Sequence, residues 1–305
     1  MALLAAIVLA GCNGDHAGAP TARPSPRAAT APLCTRLRAT VTGHVSAPAA
    51  TELSGLVLSR TQPGVLWTHN DSGDRARVLA VTPRGRLLAD VALTGAENVD
   101  WEEIALGRAP GGGDALYVAD IGDNDARRRE VVVYRVPEPR VGGGPAATAP
   151  AVRLALRYPD GAHDAEVLLV DPATHALVVM TKSFSGDAGV YVARQSAAAE
   201  TTVLRRRGGL SLGAGEAVTG AGISADGRTI VLRTYDRARV WTRRAREPLA
   251  SALRRRPCTA RANLLAEGQG EAIAPTGDGR AFYTVPEGRR PAIRRYVLAG
   301  RVAAH

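Results

Sequence analysis

Asn98-Val-Asp-Trp-Glu-Glu-Ile-Ala-Leu-Gly107 sets acids immediately before a short apolar strand core, and the chain returns to this design along its length. Glu102-Glu103-Ile104-Ala105 is echoed by Ser54-Gly55-Leu56-Val57, Glu166-Val167-Leu168-Leu169, Ala221-Gly222-Ile223-Ser224 and Glu271-Ala272-Ile273-Ala274. Self-similarity at about fifty residues, in units rich in short strands, marks a repeat array whose units cannot bury their faces alone. The first unit spells out four strands, Leu56–Leu58, Val65–His69, Val78–Val81 and Leu87–Leu93, separated by Pro-Gly, Asp-Ser-Gly-Asp and Pro-Arg-Gly turns. Such a meander predicts an all-β fold, a single β-propeller of four-stranded antiparallel blades.

Five marked repeats predict five blades; a sixth, hidden in the Arg-rich stretch 199–265, is the alternative. Outer strands are expected at Val152–Leu156 in the second unit, Thr202–Leu204 in the third and Ala262–Leu265 in the fourth. The fifth unit has no outer strand of its own, and Leu37–Val41 at the other end has no unit. The amino- and carboxy-terminal strands are therefore expected to complete one blade together, which removes two sheet edges from solvent.

The chain of 305 residues is 45% hydrophobic but only 4% aromatic, so small apolar side chains must do most of the packing. Its net charge of +10 is almost entirely arginine, with Lys182 the only lysine. The arginine runs are short and lack interleaved aromatics, which argues against nucleic acid as a partner. Residues 1–12 form an apolar run ending in Leu9-Ala10-Gly11-Cys12, similar to the lipobox of bacterial lipoproteins, which implies a signal peptide and lipid attachment at Cys12. Residues 13–32, rich in Pro, Ala and Gly, read as a disordered tether, and 33–305 as the propeller domain. An exported protein held at the membrane surface, and monomeric, is the expectation. With Cys12 assigned to lipid, Cys34 and Cys258 remain for a disulfide, two buried thiols being the alternative.

Alternating strand direction puts first-strand starts and second-strand ends at one mouth of the channel. Glu102, Glu166 and Glu271 stand at the former; Asn70, Asp120, Lys182, Thr234 and Pro286 align at the latter. His69, Asp71, Asp74, Asp100, Asp123, His163, Asp164 and Arg233 belong to the same end. Any one of these acids can serve as an acceptor for loop amides. Gathered near one axis they repel unless a cation or proton relieves them, so Glu102, Glu166 and Glu271, with Asp120 and Asn70, are predicted to hold a divalent metal, calcium by preference. At the opposite face Asp226-Gly227 and Asp278-Gly279 read as plain hairpin turns.

The order His69-Asn70-Asp71-Ser72-Gly73-Asp74, Asp100-Trp101-Glu102, Asp120-Ile121-Gly122-Asp123-Asn124, Tyr158-Pro159-Asp160-Gly161 and Asp164-Ala165-Glu166 resembles a family of exported bacterial propellers. More distantly it is similar to calcium-dependent propeller phytases, their esterase-like relatives and gluconolactonases. That resemblance implies metal ligation by an acid at an inner-strand start. Two functions follow as expectations. One is a tethered module that binds an envelope or extracellular ligand through the mouth, with Asn70, Asp71, Asp120, Asp123 and Trp101 in contact, Trp101 either stacking on the ligand or packing in the core. The other is a metal-dependent hydrolase in which Lys182 or Arg233 neutralises developing charge and His69 or His163 moves protons.

Overall fold

The computed structural model describes residues 33–143, 146–195 and 200–299; the expected signal segment, Cys12 and the tether lie outside them. Among the described residues the chain forms five sheets, each built on four antiparallel strands laid side by side from the axis outward. The inner strands are Leu53–Leu58, Trp101–Arg108, Ala165–Val170, Val218–Ile223 and Gly270–Pro275. They pack one against the next, and the last against the first, so the sheets close into a five-bladed propeller. Five apolar clusters fill the described core, one between each pair of neighbouring blades. This explains why nearly every inner and second strand is buried on both faces, with Val167–Val170 and Leu177–Met180 reading as continuous apolar runs rather than an alternation.

The ring closes as expected. Leu37–His44, from the amino-terminal end, pairs antiparallel with Ala292–Leu298 and becomes the outer strand of the fifth blade. The disulfide reinforces the same junction: Cys34 and Cys258, 224 residues apart, bond with Cα atoms 5.6 Å from each other. It joins the chain just before the fifth blade's outer strand to the outer strand of the fourth blade, Cys258–Ala260.

Two outer strands differ from expectation. In the third blade that place is taken by Arg205–Ser211, while Thr202–Val203 crosses over to extend the second blade in parallel. In the fourth blade the short strand Cys258–Ala260 replaces the expected Ala262–Leu265, and the preceding Arg-rich stretch holds a five-residue helix, Leu249–Leu253. No sixth blade forms in 200–265 among the described residues. Leu249, Ala252 and Leu253 instead seal the gap between blades three and four.

Removing the disulfide by Cys34→Ser with Cys258→Ser is expected to lower unfolding free energy by about 5 kcal/mol, from the entropy of so long a closed loop. Denaturant titration of the oxidised protein against the double variant measures it. Unchanged midpoints would mean that strand pairing alone closes the ring.

Candidate functional site

Every inner strand begins with the same irregularity. Pairing with the second strand slips by one residue between Leu53 and Leu56, Trp101 and Glu103, Ala165 and Val167, Val218 and Gly220, and Gly270 and Ala272. The extra residue of each β-bulge is Glu102, Glu166, Thr219 and Glu271 in blades two to five, and falls at Ser54–Gly55 in blade one. A bulge re-aims a side chain that regular pleating would send into an inter-blade core. The fourth copy is thus Thr219, two residues before the Ala221 that sequence similarity suggested.

The bulges gather carboxylates. Oxygens of Asp71, Asp100 and Glu102 lie within 4.8 Å of one another, and so do those of Glu102, Asp164 and Glu166. Glu102 is common to both sets. The repeated Asp-x-Glu spacing of Asp100/Glu102 and Asp164/Glu166 is the signal that singles out Asp100 and Asp164 as partners of the two glutamates. Gly122 makes room for this arrangement, since a Cβ there would stand 2.3 Å from Glu102 Oε1 and 2.5 Å from Asp100 Oδ2.

Burial and mutual repulsion act on the protons of the site. Burial first, then the charge of Glu166, drives Glu102 well above the ordinary carboxylate range. Asp100 rises to about 6 by burial and by the charge of Asp71. Glu166 rises to about 8 by burial and by the charge of Glu271, against the pull of Lys182. Lys182 Nζ bonds Glu166 Oε1 and lies 6.0 Å from the Tyr235 ring centroid. The other oxygen, Glu166 Oε2, is buried with no hydrogen-bond partner. Glu271, lifted to about 7 by burial and by Glu287, accepts weakly from Ser54 Oγ at 3.4 Å, beside the two carboxylate sets but in neither.

Beneath the site Glu103 enters the axis. Its Oε2 accepts from the Ala221 amide at 2.9 Å, across the channel in blade four, while Oε1 accepts from the Ile104 amide at 3.1 Å. Burial holds its carboxyl well above the usual range. Below it the channel wall is apolar, formed by Leu56, Ile104, Leu169, Ala221 and Ala274. The acids of the mouth therefore rest on a largely apolar floor.

Other sequence candidates fall elsewhere. Asn70 spends its amide within its own corner: Oδ1 accepts from the Thr51 and Glu52 amides and Nδ2 donates to Ala49 O and Asp74. Asp120 accepts from the Val99 and Asp100 amides and pairs with Arg128 at 2.7 Å, and the bonds of Asp123 go to the amides of Arg127 and Arg128. These are loop-fastening roles. Trp101 is fully buried, its Nε1 donating to Glu97 O and its ring meeting His69 edge-on, so the packing alternative holds. His69 is equally buried, and burial lowers its pKa to about 4. Arg233 is enclosed between blades four and five, bonded to Glu267 and Ala272 O. His163 lies on a partly exposed loop between Asp160 and the Tyr191 hydroxyl. The blade-three residue in register with Asn70 and Asp120 is Thr181, and Lys182 follows it by one. On the opposite face Asp226 and Asp278 each cap their own turn, accepting from the Arg228 and Arg280 amides.

Neither a protein-family model nor a curated protein matches the sequence. Solved structures share the overall form. The chain is similar to a gluconolactonase from Xanthomonas campestris, at 13% identity and TM-score 0.47 over 86% of this chain and 90% of that one. It is similar to the β-propeller domain of Cps50 (Swd1) from Myceliophteria thermophila, at 10% identity and TM-score 0.44 over 86% and 100%. A putative 6-phosphogluconolactonase from Bacteroides uniformis follows, at 14% identity and TM-score 0.41 over 85% and 70%. At such identities and scores no chemistry passes from these proteins to this one, and the site stands on its own residues.

The proton balance gives a pH test in cation-free buffer. A carboxyl raised by folding contributes stability that is complete below its unfolded value and disappears as pH rises through the folded value. For Glu271 that window runs from the ordinary 4.5 to about 7. Glu271→Gln does not titrate, so its stability relative to the parent should climb as pH rises from 5 to 8. Paired melting curves across that range check this, and a pH-independent difference would contradict it.

Proposed function

We propose that this propeller is an exported binding module whose mouth holds a hard divalent cation and, through it, an extracellular or envelope ligand. The observation that carries the reading is Glu166 Oε2, a carboxylate oxygen buried without a partner in a cluster where Glu102 belongs to two three-carboxylate sets. Glu102, Asp100 and Asp71 would hold a cation on one side, and Glu102, Asp164 and Glu166 on the other. Oxygen-only donors suit calcium, magnesium or manganese, with calcium best served by flexible carboxylates, whereas zinc favours nitrogen and sulfur. A bound cation supplies positive charge at the base of a funnel lined by acids, and so a coordination point for an oxygen-bearing ligand. The Cys34–Cys258 disulfide accords with an oxidising compartment, and lipid attachment at Cys12 with retention at the membrane surface.

Binding is favoured over hydrolysis by where the proton-handling candidates sit. His69 and Arg233 are enclosed in the blades, and His163 is tied to Asp160 and Tyr191. Lys182 alone faces the carboxylates, and it is committed to Glu166.

A cation that binds only the folded chain raises stability by mass action, by about 2.7 kcal/mol at a hundredfold excess over its Kd. Thermal unfolding with calcium, magnesium or manganese should therefore shift upward with concentration. Glu102→Gln, which removes the shared ligand, should abolish the shift, and Asp278→Asn at the opposite face should retain it. Curves indifferent to all three cations would overturn the proposal and leave the acids as protonated core groups.

A further inference from the structure

A second site lies away from the mouth. A cleft of about 740 Å³ runs along the flank of blade three, between its outer strand and the Leu249–Leu253 helix, and reaches the turns of the opposite face at Pro110 and His175. Its volume is that of a small-molecule site. Four arginines line it: Arg194 after the third strand, Arg205 and Arg207 on the outer strand, and Arg254 at the helix end. Among the described residues none of the four pairs with a carboxylate, although Arg77, Arg128, Arg153, Arg239 and Arg255 elsewhere all do.

Asp171, the acid in the lining, offers the cleft nothing. It is buried, its Oδ2 accepting from the Leu249 amide at 2.9 Å and its Oδ1 from the Ala173 amide at 2.8 Å, with Arg243 3.6 Å away. Asp171 thereby anchors the start of the helix that carries Arg254. The rear of the cleft is fixed as well, because Gln195 accepts from the Tyr117 hydroxyl and Arg135 and donates to His175 O. Uncompensated guanidinium groups from three segments thus face one concave surface with a braced wall.

We infer that this cleft binds an anion carrying two or more phosphate groups. Guanidinium matches phosphate by paired, charge-assisted hydrogen bonds. Charge decides the class: four arginines call for about four negative charges, which two phosphates near −2 each provide and a single sulfate or carboxylate does not. The ligand would be a condensed phosphate or a small molecule bearing several phosphate esters.

Inorganic tripolyphosphate is the probe. Calorimetric titration of the whole domain should give saturable binding at one site, with orthophosphate and sulfate at least about tenfold weaker. Arg207→Ser with Arg254→Ser should weaken tripolyphosphate binding by about tenfold or more, the loss of two charge-assisted contacts. Both side chains are exposed, so the pair should melt like the parent. Arg289→Ser with Arg290→Ser, exposed outside the cleft, is the control for general attraction to a basic protein. Absence of saturable binding, or equal losses in the two double variants, would overturn the inference. Comparing tripolyphosphate with a hexakisphosphate ester then distinguishes condensed from esterified phosphate as the source.

Discussion

One extra residue at the start of each inner strand governs this molecule. In a closed propeller the two faces of every inner strand belong to the two neighbouring inter-blade cores, so a regularly pleated inner strand has no side chain left to point along the axis. The bulge breaks the alternation once per blade and turns that residue toward the channel. Because the break recurs at the same place, the five re-aimed positions converge, and the chemistry of the mouth is set by what occupies them: Ser54, Glu102, Glu166, Thr219 and Glu271. The asymmetry of that set places the carboxylates of blades two and three side by side, and neighbouring Asp100 and Asp164 complete them.

Convergence has a cost that the structure meets with space and hydrogen bonds. Gly55 and Gly220 clear room at the axis, since a Cβ at Gly55 would stand 2.3 Å from the Ile104 amide and one at Gly220 2.1 Å from Glu271 O. Glu103 then bonds the Ala221 amide across the channel, satisfying one buried donor from a different blade. Among the buried polar atoms left without a partner, one belongs to the carboxylate sets of the mouth, Glu166 Oε2. A buried, unpaired carboxylate oxygen is expensive anywhere. Here it stands among acids driven toward protonation, above an apolar floor, with Lys182 bonded to the other oxygen of the same carboxyl.

Much of the fold was legible because turn residues and apolar runs are local signals. Pro63-Gly64, Asp226-Gly227 and Asp278-Gly279 marked hairpins, and the unpartnered Leu37–Val41 marked the shared blade. The outer strands of blades three and four were misplaced because neither carries a buried face: Arg205–Ser211 is arginine-rich and buried only at Leu210, and Cys258–Ala260 is three residues long and buried only at Ala260, so they carry no pattern to read. The site was legible in kind and blurred in detail for a different reason. Side chains alternate along a strand, so a slip of one residue moves a candidate from the mouth to a core. Arg233 and His69 are such cases: each lies one residue before a second-strand end, Thr234 or Asn70, and points between blades. The bulges could not be seen in the sequence, which is why Ala221 stood in for Thr219. The Asp-x-Glu repeat at 100–102 and 164–166 was visible and names every member of the two carboxylate sets except Asp71.

The most direct test of a cation at this cluster is an anomalous-scattering experiment on crystals of the domain grown with manganese, whose signal locates the ion without reference to stability or activity. A peak coordinated by Glu102 together with Asp100 and Asp71, or with Asp164 and Glu166, is the expected result. Crystals that diffract well and show no anomalous peak within coordination distance of Glu102 would contradict it.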